Sequence, residues 1–166
     1  MDYINILKRT EIFDDLSPAQ LEMVSGVCHE RVVRAGELVF EENTAGDEMY
    51  VIVRGEVEIM VDPTMVSTPG SRRTPSPVTI ATLRDGQTFG EVALVDQGLR
   101  SASARCATDN TRLLIIARAK LLALCDNHPE LGYRIMRNVA ADLSFKIRNS
   151  DLAIREQLLW RPRQAV

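Results

Sequence analysis

Two charged residues stand out in the stretch FGEVALVDQGLRSASARC, residues 89–106: Glu91 follows a glycine inside an apolar run, and Arg100 lies among small residues nine positions later. Isolated charges in such company are costly to bury unless a partner or a ligand engages them. The run VALVD after Glu91 has the length of one helical turn and GLRSAS then reverses the chain, so backbone amides near a helix end and a turn can converge on one spot. Arg100 offers the planar, two-pronged donor that a phosphate accepts best, and Ser101 adds a hydroxyl. A carboxylate repels phosphate, so Glu91 must face another part of the same ligand, and an ionised acid accepts from sugar hydroxyls. A phosphate and a ribose hydroxyl side by side, as in a cyclic phosphodiester fused to ribose, satisfy both residues. The opposing reading is that Glu91 and Arg100 merely pair with each other.

Other chemistries find less support. There is no strand-turn-helix elbow around a serine, no GxxxxGKS phosphate loop and no evident carboxylate pair, so enzymatic activity is not expected. The cysteines Cys28, Cys106 and Cys125 are odd in number and widely spaced, which argues against a disulfide framework and fits a reducing compartment. They form no metal-ligand spacing with His29 or His128, and no metal is expected. A length of 166 residues suits one domain, and a net charge of −3 lacks the basic footprint of a nucleic-acid binder. No apolar run approaches the roughly 18 to 20 residues that span a bilayer. The N-terminal MDYINILKRTEIF lacks the basic and apolar regions of a signal peptide. The expectation is a cytoplasmic protein with no direct nucleic-acid or membrane partner.

The elements that must position the two charges are legible in outline. DDLSPAQLEMVSGV places Ser17 as N-cap and Pro18 at the first helical position, with Leu21 and Val24 at helical spacing before Gly26. From Cys28 the period changes: ERVVRAGELVFEENTAGDEMYVIVRGEVEIMV alternates β-branched residues with charges, and Gly36, Gly46 and Gly55 mark turns or close backbone approaches. Residues 63–77, PTMVSTPGSRRTPSP, are rich in proline and hydroxyl residues and predict a mobile surface loop. One further apolar strand and a short amphipathic helix follow in TRLLIIARAKLLALCDNHPELG. From Pro129 to Trp160 a single helical pattern sets Leu131, Ile135, Val139, Leu143, Ile147, Ile154 and Leu158 on one stripe, opposite Arg134, Arg137 and Arg148. So long a stripe is expected to extend beyond its own domain and seal in part against a partner chain, rather than wrap wholly against its own domain.

With these residues in view, nearly the whole chain resembles the cyclic nucleotide-binding domain family of catabolite activators, protein kinase A regulatory subunits and cyclic nucleotide-gated channels. RAGELVFEENTAGDEMYVIVRGEVEI is similar to the family's first strands, and FGEVALVDQGLRSASA to its phosphate-binding cassette. The resemblance implies an α+β fold: an eight-stranded antiparallel jelly-roll β-barrel flanked by N-terminal helices and a long C-terminal helix. The expected organisation is one domain over 1–166, with an N-terminal helical part at 8–27, the β-roll at 28–118 and the C-terminal helices at 119–160. By this resemblance Glu91 accepts from the ribose 2′-hydroxyl and Arg100 binds the cyclic phosphate. Gly90, Val92, Ala93, Ser101 and Ala102 add backbone or hydroxyl contacts. Catabolite activators set adjacent hydroxyl residues of the long helix against adenine; here Lys146, Ile147 and Arg148 occupy that region as possible base contacts.

The implied ligand is cyclic AMP or cyclic GMP, with Ser101 leaning toward cyclic AMP, and no other cofactor. Only RPRQAV follows Trp160, so a free-standing sensor without a helix-turn-helix domain is expected. It would signal occupancy through the long helix to a protein effector or a homodimer partner. The alternatives are a scaffold module of the same fold with no ligand, and a transcriptional regulator lacking its own DNA-binding domain.

Overall fold

A computed structural model of the chain describes residues 3–63, 76–96 and 98–159. In chain order its elements are α1 (Ile4–Leu7), a 3-10 turn (Glu11–Phe13), α2 (Pro18–Gly26), β1 (Cys28–Val33), β2 (Leu38–Phe40), β3 (Glu48–Arg54), β4 (Val57–Val61), β5 (Val78–Leu83), β6 (Thr88–Phe89), α3 (Val92–Val95), β7 (Ser103–Cys106), β8 (Thr111–Ala117), α4 (Arg118–Asn127) and α5 (Pro129–Leu159). The expected loop at 63–77 falls mostly outside the described residues.

The strands form two antiparallel sheets of four, ordered β1-β8-β3-β6 and β2-β7-β4-β5. The expected count of eight is met, but the expected closed barrel is not. Among the described residues no strand hydrogen-bonds across from one sheet to the other, and the elements that would have to bridge them, such as three-residue β2 and two-residue β6, are short. The RG turn between β3 and β4 carries the chain from one sheet to the other rather than closing a hairpin.

Strand β8 explains its own sequence. LLII is apolar throughout because the strand is buried on both faces, as a period of two requires. Leu113 and Ile115 point between the sheets and join Tyr50, Ile52, Val57, Phe89, Ala104 and Cys106. Leu114 and Ile116 point the other way, into a second core with Met49, Val51 and the helices. The pairings Tyr50↔Ile115 and Met49↔Ile116 keep β3 in step with this division.

Helix α2 begins as its sequence predicts: the Ser17 hydroxyl accepts from Gln20 N, and the Gln20 side chain accepts from Ser17 N. Leu21 and Val24 fill the helical core with Leu121, Leu131, Ile135 and Val139. The stripe of α5 divides in the middle. Leu131, Ile135 and Val139 are buried, Leu143 is partly so, and Ile147 and Ile154 are exposed. Arg134 and Arg137, on the opposite side of the helix, are also engaged. Arg134 donates to Asp15 O at 2.7 Å, Arg137 pairs with the Asp15 carboxylate at 2.8 Å, and Asn138 Nδ2 donates to Ile12 O and Asp14 O. The N-terminal turn thus clasps the first half of α5.

Across the outer face of β1 and β8, Arg112 Nε donates to the Glu30 carboxylate. That hydrogen bond holds the Glu30 carboxyl below its ordinary value. A carboxylate stabilised in this way adds stability above its unfolded pKa and loses it as pH falls through the folded value. Glu30→Gln should therefore lower thermal stability at pH 7 by about 1 kcal/mol, with the gap to wild type closing on acidification below 4.5. Melting curves from pH 3 to pH 7 measure this.

Candidate functional site

Glu91 and Arg100 are brought to the same region, and both are buried, at 4% and 8% exposure. They do not pair with each other. Gly90 turns the chain after β6 with φ +75°, and Glu91 then caps α3, the single turn expected for VALVD. The return strand is fixed by an exchange with the 41–44 turn: Arg100 N donates to Thr44 O and Asn43 N donates to Arg100 O, both at 2.8 Å. An isolated bridge between Ala45 and Leu99 adds to it.

The Arg100 guanidinium lies 4.1 Å from the centre of the Phe40 ring, a cation-π arrangement, beside the stacked Tyr50–Phe89 pair. Its terminal nitrogens donate to Glu48 O at 2.8 Å and Gly90 O at 3.2 Å. Nε is buried and finds no hydrogen-bond partner among the described residues. No carboxylate of the described residues forms an ion pair with it. A cation kept this dry, with carbonyls but no counter-anion, is a ready acceptor of a bidentate anion. Two glycines make room for it. A Cβ at Gly46 would stand 2.4 Å from Arg100 Nε, and one at Gly90 would stand 2.7 Å from Nη1.

Glu91 has a partner that its sequence surroundings do not reveal. Lys146 of α5 reaches across 55 positions to place Nζ 3.0 Å from Glu91 Oε1, 2.9 Å from Asp142 Oδ2 and 3.3 Å from Thr88 O. Burial opposes the lysine charge, but Glu91 and Asp142 together outweigh it and hold the ammonium above its ordinary pKa. Lys146 is therefore charged at neutral pH.

The other expected residues take varied places. Val92 and Ala93 form the start of α3, where Ala93 N donates to Gly90 O. Ala102 is buried, while Ser101 is exposed at the rim. Ile147 and Arg148 are exposed on α5, so of the three helix residues only Lys146 reaches the cassette. Phe40, Tyr50 and Asp142 were not anticipated. Asp142 and Lys146 carry the i,i+4 spacing of a helical ion pair, which was the available signal. Phe40 and Tyr50 carry none beyond being aromatic. Tyr50 donates to the Glu48 carboxylate, and burial together with that partner pushes its hydroxyl pKa up.

An open cleft of about 880 Å³ lies at the opposite end of β3, lined by Arg54, Glu56, Arg84, Asp85 and Asp109 among others. Its polar groups serve the local turns: Arg84 pairs with Glu56, Asp85 accepts from Gly55 N and Asp109 from Ala35 N. It offers nothing comparable to Arg100.

A family model for the cyclic nucleotide-binding domain matches residues 30–128. The chain is 30% identical over 148 residues to the cyclic AMP receptor protein of Thermus thermophilus, across 89% of this chain and 62% of that protein. It is 28% identical over 134 residues to a cGMP-dependent protein kinase of Drosophila melanogaster, across 80% of this chain and 14% of the kinase. Among solved structures, the Thermus thermophilus catabolite activator protein superposes with a TM-score of 0.71 at 28% identity, over 89% of this chain and 63% of that one. A cyclic nucleotide-binding domain from Methylobacillus flagellatus gives 0.77 at 23% identity, over 93% and 81%, a likeness of fold. The chain spans less than two thirds of the Thermus relatives it matches. With the family model covering more than half of its length, the chain belongs to the cyclic nucleotide-binding domain family.

Proposed function

We propose that this chain is a non-catalytic cyclic nucleotide receptor that takes the ligand's phosphate on Arg100 and its ribose 2′-hydroxyl on Glu91. Gly90, Val92, Ala93, Ser101 and Ala102 line the same cassette. The observation that carries this reading is the Arg100 guanidinium, buried, stacked on Phe40 and without a counter-anion among the described residues. A cyclic phosphodiester supplies the missing charge in the two-pronged form that guanidinium binds best.

Cyclic AMP is favoured over cyclic GMP. Ser101 leans that way, and relatives described as a cyclic AMP receptor protein and a cAMP-activated regulator support it, although cGMP-dependent kinases also match. We read 1–166 as one domain, supported by a helical core that joins α1, α2, α4 and α5 to β3 and β8. A cytoplasmic setting is supported by three free cysteines, with Cys28 pushed up to about 12 by burial and so unreactive as a thiolate. Occupancy would pass to a protein effector or a second copy through the distal half of α5, where Phe145, Ile147, Leu152 and Ile154 are exposed.

Titration calorimetry with cyclic AMP and cyclic GMP tests this reading, which expects saturable binding of cyclic AMP, tighter than cyclic GMP; heat from neither nucleotide overturns it. Arg100→Ala should weaken binding by at least ~1.5 to 3 kcal/mol, the worth of a charge-assisted contact, while circular dichroism stays native. Unchanged affinity in that variant removes the phosphate assignment. Gly46→Ala tests the cradle from the other side. Its new methyl displaces the guanidinium and should lower cyclic AMP affinity by roughly tenfold or more without touching the ligand, for a shift of one charged contact.

A further inference from the structure

Lys146 is bound to Glu91, the residue read above as the acceptor of the ribose hydroxyl. Its ammonium donates to Glu91 Oε1 and Thr88 O and lies 2.9 Å from Asp142 Oδ2 as an ion pair. The Glu91 side chain is 5% exposed and that of Lys146 is 37% exposed, so the lysine is the more solvent-exposed member of the pair.

The two counter-ions of Lys146 differ in kind. Asp142 is four residues back on the same helix, whereas Glu91 belongs to the cassette. Losing Glu91 leaves the ammonium still paired with Asp142. Lys146 is also the last residue of α5 that makes a hydrogen bond or ion pair with another element among the described residues; past it, Ser150 bonds only within the helix. Exchange at Glu91 would leave only the longer bond to Thr88 O between this point of α5 and the sheet.

We infer that Lys146 is a built-in competitor for the sugar hydroxyl: a ligand's 2′-hydroxyl displaces it from Glu91, and that exchange removes the ion pair between α5 and the cassette. The inference rests on the reading of Glu91 given under Proposed function. It differs from a role for Lys146 in gripping the base, because a competitor lowers affinity and a contact raises it.

The test is calorimetry with cyclic AMP and 2′-deoxy cyclic AMP on wild type, Lys146→Met and Lys146→Arg, with Lys146→Gln replacing the methionine variant if that does not fold. Lys146→Met should bind cyclic AMP roughly tenfold tighter than wild type, the scale of one charge-assisted hydrogen bond. Its affinity for 2′-deoxy cyclic AMP, which has no hydroxyl to bring to Glu91, should stay within about twofold of wild type, well under the tenfold step. Lys146→Arg, which keeps the cation, should stay near wild type for both. Weaker or unchanged cyclic AMP binding in Lys146→Met overturns the competitor while leaving the receptor reading intact. Equal tightening of both nucleotides overturns it as well, since the gain would not pass through the hydroxyl. Should no variant bind either nucleotide, the receptor reading fails and the competitor with it. Binding by Lys146→Met alone upholds both.

Discussion

A guanidinium buried without a counter-charge among the described residues is the constraint around which the binding half of this protein is arranged. Taking a charged group out of water without an ion-pair partner costs several kcal/mol in effective terms, so the surroundings have to supply compensation. They do so with two carbonyls from different elements, Glu48 at the start of β3 and Gly90 after β6, and with the face of Phe40 from the end of β2. Each of these is held by the sheets behind it. β3 is paired on both edges, with β8 and β6, and the Phe40–Tyr50–Phe89 cluster spans the gap between the sheets. The carbonyls solvate the cation but do not neutralise it, and that difference is what an anionic ligand can use.

The same sheet has a second task on its other face. β3 and β8 send alternate residues into the gap between the sheets and into the helical core, so one set of strands links the cassette to α1, α2, α4 and α5. The first half of α5 is fixed there by Leu131, Ile135 and Val139 and by the hydrogen bonds of Arg134, Arg137 and Asn138 to the N-terminal turn. Among the described residues, the second half is held in terms of polar contacts by Lys146 alone. A helix rigid at one end and tied at a single charged point farther along is a two-position element in physical terms, provided a ligand binds the two positions unequally. The exposed apolar residues beyond the tie are a face whose availability such a change would alter.

Much of the cassette was legible in the sequence because burial and charge conflict there. Glu91 and Arg100 stood out as isolated charges among apolar and small residues, and both are buried. The α2 start was readable from Ser17, Pro18 and Gln20 because capping is local, satisfied within four residues. The strand positions followed from period and turn glycines. What was not legible was pairing across distance. Alternation announces a strand but does not say which neighbour it takes, and the barrel implied by the family resemblance is two separate sheets here. Lys146 was singled out by its alignment with the helix segment that meets the base, but its partner depends on the rotation and reach of α5, and Glu91 lies 55 positions away. Gly46 was read as a turn or a close backbone approach; that its neighbour is the Arg100 side chain only the packed structure reveals.

The account turns on Arg100 Nε, a buried donor that no described residue satisfies. Nitrogen-15 NMR of the arginine side chains, with the Arg100 Nε–H resonance identified by its loss in Arg100→Lys, observes that donor directly during titration with cyclic AMP. The account predicts a downfield proton shift and slowed exchange with solvent at this resonance as the phosphate engages the guanidinium. A resonance that stays in place at saturating nucleotide would contradict it.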